Sequence, residues 1–273
     1  MKCFRPGAFA FFMLIGAMPS HAADMPMKAP PLVAVYSWTG WYAGVNVGYS
    51  WGRSETDVAY FTSPGGLPIV PPPGSIVSGT ADLDGWIGGG QIGGNLQNGN
   101  WVVGLEADIQ WSGQKGSSDF LCAATIIGGP CFLIQTLPPP GVTGATLSLD
   151  QKLLWFGTVR GRLGWTPSQS WLAYVTGGLA YGEIKTDAAL TGFVPAATLA
   201  TASSSTTKAG WTVGVGLEGV ISGRWTGKIE YLYMDLGTVS GSVVNTPAGI
   251  QATYSSDITD NIIRVGLNYR FKP

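Results

Sequence analysis

The chain has 273 residues, of which 11% are charged and 45% hydrophobic, with a formal charge of −1. That charged fraction is under half the ~25% of an ordinary soluble domain, and the near-zero balance argues against a nucleic-acid binder. After residue 24 no run of 18 apolar residues occurs, which excludes helical membrane spans and leaves a closed β-barrel as the way to satisfy backbone groups in lipid.

Residues 1–22 are predicted to be a secretory signal peptide. Lys2 and Arg5 precede an apolar stretch from Ala8 to Met18, and Ser20-His21-Ala22 puts small residues at the cleavage-determining positions, for a cut after Ala22 or Ala23. The mature chain then lacks Cys3 and His21, the only histidine, and keeps thirteen basic against sixteen acidic side chains, a formal charge of −3. Residues 23–40, with Pro26, Pro30 and Pro31, read as an extended periplasmic linker. Residues 41–273 read as the barrel domain.

Eight segments of period-two alternation follow. The first, Trp41–Arg53, sets Trp41, Ala43, Val45, Val47, Tyr49 and Trp51 against Gly44, Asn46, Gly48 and Ser50. The second, about Leu83–Gln97, sets Trp86, Ile92 and Leu96 against Gln91, Asn95 and Gln97. The third runs from Trp101 to Trp111, with Glu106, Asp108 and Gln110 on its polar face. The fourth spans Leu153–Trp165, including Trp155, with Thr158, Arg160 and Arg162 opposite its apolar set. Then come Trp171–Glu183, Gly210–Gly219 with Trp211 and Glu218, Trp225–Met234 with Lys228 and Glu230, and Asn261–Phe271 with Arg264, Asn268 and Arg270. In each, the apolar set is expected to face lipid.

Ten of the eleven tryptophans mark the ends of these segments: Trp41, Trp51, Trp86, Trp101, Trp111, Trp155, Trp165, Trp171, Trp211 and Trp225. About eleven residues at ~3.3 Å each, tilted ~40°, rise about 28 Å, close to the apolar band of a transmembrane barrel. Tryptophan prefers the two water–lipid interfaces, so the pattern predicts an aromatic girdle at each. Short turns at Asn98–Asn100, Thr166–Ser170 and Val220–Arg224 alternate with long connections at Ser54–Gly79, Ser112–Asp150, Ile184–Ala209 and about Asp235–Asp260. The expected fold is all-β: an eight-stranded antiparallel transmembrane up-and-down β-barrel with long extracellular loops, with six or ten strands as alternatives.

An eight-stranded barrel is only wide enough for side chains to fill it. Glu106, Asp108, Arg160, Arg162, Glu218, Lys228, Glu230, Arg264 and Arg270 fall on the inward phase of neighbouring strands, four acids and five bases. Such charges must pair, since an unpaired one costs several kcal/mol. They are expected to form a polar plug, or else a gate whose pairs swap partners. Cys122 and Cys131, in a long connection of an exported chain, are expected to form a disulfide, with two free thiols as the alternative.

No cofactor, metal or catalytic site is expected. Gly88–Gly93 and Gly214–Gly219 match the dinucleotide fingerprint, but neither opens a helix within a βαβ unit. Gly40, Gly44, Gly48 and Gly52 imitate a helix-dimer seam, although the odd positions between them mark a strand. With no histidine left, a triad, a histidine general base and histidine ligation of haem are excluded. A tyrosine or methionine haem site is still open.

Several of these stretches together resemble one family. Lys28-Ala29-Pro30-Pro31, Tyr36-Ser37-Trp38-Thr39-Gly40-Trp41-Tyr42-Ala43-Gly44, Gly104-Leu105-Glu106-Ala107-Asp108, residues 157–164 and 174–182, Gly210-Trp211-Thr212-Val213-Gly214 and Glu230-Tyr231-Leu232-Tyr233 are similar to the small porin-family outer-membrane proteins of alphaproteobacteria. The resemblance covers every strand and misses the long connections. It implies an eight-stranded barrel, a surface-antigen-like envelope protein, and contact with outer-membrane lipids and lipopolysaccharide. Assembly would be by the barrel-assembly machinery, which reads a terminal aromatic residue; here Lys272 and Pro273 follow Phe271. The leading expectation is a structural and surface barrel. A small-solute porin and a loop-mediated ligand-binding or adhesion protein are the alternatives.

Overall fold

The structure, a computed structural model, describes residues 36–62, 76–123, 144–193, 196–245 and 250–271. The signal-peptide stretch, the linker up to residue 35, Cys131, Lys272 and Pro273 lie outside the described residues, as does the side chain of Cys122, which lies in a strand opposite Ala145.

Eight strands form a closed antiparallel ring: β1 (Gly40–Thr62), β2 (Ile76–Asn98), β3 (Trp101–Ala123), β4 (Gly144–Ser168), β5 (Trp171–Phe193), β6 (Ala196–Ser222), β7 (Trp225–Asn245) and β8 (Ile250–Arg270). Closure is by β1 and β8, from Tyr42 opposite Arg270 to Thr62 opposite Ile250. Two-residue turns join β2 to β3, β4 to β5 and β6 to β7. That end is the periplasmic one in bacterial barrels.

The tryptophans stand where an interfacial residue belongs. Trp41, Trp101, Trp165, Trp171 and Trp225 lie toward the short turns, and Trp51, Trp86, Trp111, Trp155 and Trp211 lie about ten residues further along their strands. Trp101 is directly opposite Trp165, and Trp111 directly opposite Trp155. All but Trp155 are exposed on the outer wall. Tyr49, Tyr233 and Tyr269 pack against Trp86, Trp211 and Trp225 with ring centroids 5.4, 5.4 and 5.1 Å apart, thickening both rings.

The strands do not stop at the outer ring. They run 21 to 27 residues, so most of the stretches expected to be loops continue the ladders instead. The physical reason is a change of solvent. Between the rings the outer face is apolar, and the inner face carries the buried polar and charged side chains with apolar residues on either side of them. Beyond the outer ring the alternation continues with its polarity reversed. Arg53, Glu55, Asp57, Asp82, Asp84, Lys115, Asp119 and Asp257 are exposed, while Val58, Phe120, Leu147, Leu149, Leu190, Val243, Ala252 and Tyr254 form a core inside. A strand wall standing in water buries its apolar side as any soluble sheet does.

This outer part is also no longer a closed ring among the described residues. Pairing of β2 with β3 ends at Asp84 opposite Lys115, and pairing of β6 with β7 ends at Trp211 opposite Asp235. Beyond those points two four-stranded sheets remain, β7-β8-β1-β2 and β3-β4-β5-β6. Their inner faces share the apolar core, which makes the outer half a sandwich. Each seam starts beside an irregularity closed by a short-range hydrogen bond. In β3 the register with β4 shifts between Trp111 and Gln114, where Gln114 N donates to Ser112 Oγ at 3.1 Å. In β7 it shifts between Asp235 and Gly237, where Gly237 N donates to Asp235 Oδ1 at 2.8 Å. Gly237 has φ 69°, a left-handed conformation that a side chain disfavours, and such bulges bend a strand away from its neighbour.

Candidate functional site

The barrel interior is the candidate site, and it is layered. Nearest the short turns, Trp38, Val102, Leu172 and Tyr174 form an apolar stopper with Tyr36 and Val220 packed on it. Trp38 and Tyr36 precede β1, so the end of the linker stretch folds into the barrel mouth. Trp38 N donates to Gln97 Oε1 at 2.7 Å, and Arg270 lies against the Trp38 and Tyr36 rings at 5.2 and 5.8 Å while donating to the Trp38 carbonyl. Arg270 therefore stands apart from the other eight charges, none of which it meets in an ion pair among the described residues.

Those eight converge in the next layer. Adjacent strands place Glu106 opposite Arg160, Glu218 opposite Lys228 and Glu230 opposite Arg264. Because the wall curves, the contacts also cross the lumen. Arg160 reaches Glu106 at 2.6 Å, Asp108 at 2.9 Å and Glu230 at 3.0 Å. Arg264 reaches Asp108 at 2.9 Å and Glu230 at 2.6 Å, and Lys228 sits 2.8 Å from Glu106. Arg162 bridges Glu106 at 3.4 Å and Glu218 at 2.8 Å. All eight side chains are at most 2% exposed. Four acids balance four bases, so the layer carries no net charge.

Neutral groups take up further hydrogen bonds. Tyr42 donates to Glu106 at 2.8 Å, Tyr174 to Glu230 at 3.1 Å, Thr158 to Asp108 at 2.8 Å, and Thr226 and Asn268 to Glu218 at 2.6 and 3.0 Å. The Arg162 guanidinium also lies over the Tyr174 ring at 3.9 Å. Asp108 Oδ1, Arg162 Nε and Arg264 Nη1 are the network atoms buried without a hydrogen-bond partner among the described residues. Glycines make the room: a Cβ on Gly48 would come within 2.7 Å of Arg264 Cβ.

Above the charges lies an apolar layer that the lipid-facing reading of the apolar set did not anticipate. Ile87, Leu153, Phe156, Ile184, Leu232, Met234, Ile258 and Ile262 are buried inside the barrel. Asp260 is set against it, 2% exposed, hydrogen-bonded by Ser50 Oγ and by Gln114 Nε2 at 2.9 Å. The alternation alone leaves Asp260 at the end of a long connection, and only the continuation of β8 past the outer ring places it inside. Tyr42 joins the network beside the expected charges, and its even number in β1 puts it on the inward phase.

The family is decided by comparison with known proteins. The profile described as "Outer membrane protein beta-barrel domain" matches residues 8–271. The chain belongs to that family. This outer-membrane barrel protein is 37% identical over 263 residues to a 31 kDa outer-membrane immunogenic protein of Brucella melitensis, covering 93% of this chain and 95% of the relative. It is 25% identical over 258 residues to a 25 kDa outer-membrane immunogenic protein of Brucella abortus, covering 92% and 91%. A 22 kDa outer membrane protein of Rhizobium leguminosarum is 28% identical over 185 residues, 67% of this chain and 66% of that one. Among solved structures, OprG from Pseudomonas aeruginosa aligns at 12% identity with a TM-score of 0.45, covering 87% of this chain and 99% of that one. By its family and its Brucella and Rhizobium relatives, the protein is an outer-membrane barrel of the kind found in alphaproteobacteria, located in the Gram-negative outer membrane.

Proposed function

We propose that this outer-membrane barrel protein is a structural and surface component of the envelope that does not conduct solutes. It would act through lipid and lipopolysaccharide contacts on its outer wall. The observation that carries the reading is the filled interior: stopper, neutral charge layer, apolar layer and outer core succeed one another along the lumen. Burying eight charges in a narrow lumen is costly, and the pairing offsets that cost only with all partners present. A gate that swapped partners would pass through states with several unpaired ions. The network reads instead as a fixed plug.

The Trp rings hold the wall at lipid depth, and the polar sleeve beyond them supports the surface role. Export by removal of residues 1–22 and assembly by the barrel-assembly machinery belong to the same reading. A Cys122–Cys131 disulfide would be a further feature of the exposed end. Purified protein inserted into planar lipid bilayers is expected to give no steady single-channel conductance. Stable, reproducible steps from the monomeric barrel would reject the closed reading in favour of a porin.

A further inference from the structure

Arg270 carries a positive charge that the neutral layer of four acids and four bases does not offset. It is 5% exposed and meets no acid in an ion pair among the described residues. The carboxylate on its side of the layer, Glu218, is already engaged. Arg162 holds Glu218 Oε2 at 2.8 Å, and Thr226 and Asn268 donate to Oε1 at 2.6 and 3.0 Å. Asp260, further along β8, lies beyond the charge layer and is held by Ser50 and Gln114.

The surroundings of the guanidinium are short of acceptors. Its central carbon lies 5.2 Å from the Trp38 ring and 5.8 Å from the Tyr36 ring, and those two rings stand edge to face 5.1 Å apart. Arg270 Nη2 donates to the Trp38 carbonyl. Arg270 Nη1, Trp38 Nε1 and the Tyr36 hydroxyl are buried and have no hydrogen-bond partner among the described residues. Native interiors leave few such groups, and here three gather around one cation. The ring faces offset part of the charge, but they supply no acceptor for N–H groups that can only donate.

We propose that Arg270, Trp38 and Tyr36 form a binding site for a small inorganic anion, a halide such as chloride, within the stopper. A halide accepts hydrogen bonds from any direction, so it suits a guanidinium, an indole and a phenol together. Its charge also neutralises Arg270. A water molecule would leave that charge uncompensated and would have to place its own protons among donors. Packing restricts the size of the ion. Trp38 is fully buried, its N–H is held by Gln97 at 2.7 Å, and Val102, Leu172 and Tyr174 surround it. A carboxylate or phosphate borne on a larger molecule would have to displace the stopper. The bound ion would fasten the segment before β1 to the end of β8, beside the pairing that closes the barrel. The proposal goes beyond the envelope role and does not depend on whether the barrel conducts.

The test follows urea unfolding of the detergent-folded, full-length protein in chloride and in gluconate at equal ionic strength. An ion bound by the folded state alone stabilises it. The parent midpoint is therefore expected to be higher in chloride by roughly 0.5 M urea, once chloride exceeds its dissociation constant about tenfold. Arg270→Gln removes the cation, and Trp38→Phe keeps a ring while removing the indole N–H. Both should lose the difference between the two salts. Lys152→Ala should keep it, since that residue lies on the outer wall. Crystals grown in bromide give a readout that needs no variant, because anomalous scattering locates the ion. A peak is expected in contact with Arg270 Nη1 and Trp38 Nε1. Equal parent midpoints in the two salts, a chloride effect that survives Arg270→Gln, or bromide found only at exposed lysines and arginines would each overturn the proposal.

Discussion

Arg160→Ala should lower the unfolding free energy of the detergent-folded barrel by about 3–5 kcal/mol, the range for breaking a buried ion pair from one side. Arg160 holds Glu106, Asp108 and Glu230 together, and its own side chain is fully buried. Removing it leaves three carboxylates around a cavity that water reaches poorly, with Arg162, Arg264 and Lys228 as the cations nearby. A surface pair makes the comparison: Lys152 lies 3.9 Å from Asp187, and both are over 30% exposed. Lys152→Ala should cost at most about 1 kcal/mol. Urea unfolding followed by tryptophan fluorescence separates the two. Equal midpoints for Arg160→Ala and Lys152→Ala would mean that the charge layer does not hold the barrel.

Gly178→Val should prevent the barrel from forming. Gly178 of β5 lies opposite Arg160 on the inward face. A Cβ there would meet Val159 O at 2.1 Å and the Arg160 Cα at 2.8 Å, both of them main-chain atoms that cannot rotate aside. Ordinary overpacking of a core costs about 1–3 kcal/mol, and a clash with a neighbouring strand's backbone costs more. It also pushes Arg160 away from its three acids. Gly161→Ala is the control, because its nearest neighbour, Gly177 O, is 3.8 Å from the new Cβ. On unboiled gels the Gly161 variant should run as a compact, heat-modifiable band, and the Gly178 variant as unfolded chain. A compact Gly178→Val band at parental yield would show that the wall around the network is softer than its geometry implies.

These two sites lie at opposite ends of what the sequence reveals. Arg160 was visible because period-two alternation put it on the polar face of a strand bounded by Trp155 and Trp165. Its neighbour Glu106 was visible because the same alternation put it on the polar face of the preceding segment, and segments consecutive in the chain are neighbours in an up-and-down barrel. Local pattern therefore sufficed for the strand count, the Trp rings, the short turns and most members of the charge layer. Which carboxylate each guanidinium takes was not legible. Arg162 pairs with Glu218, which lies in β6, and Arg264 with Asp108, which lies in β3, across the lumen. Arg270 joins the stopper instead.

The rest was decided by neighbours distant in sequence. An alternating strand states only that its two faces differ, and the solvent outside decides which face turns inward. Below the outer Trp ring that solvent is lipid and above it water, so the same period two carries opposite polarity in the two halves. The water-side stretches, rich in Ser, Thr, Ala and Gly, resemble connections when read alone. They become strands because β5 pairs with β6 up to Phe193 and Ala196, and β1 with β8 up to Thr62 and Ile250. The seams, the buried Asp260 and the Trp38 stopper share that origin. Each depends on where a ladder ends or on what a curved wall brings face to face, and neither is encoded in the spacing of residues along one strand.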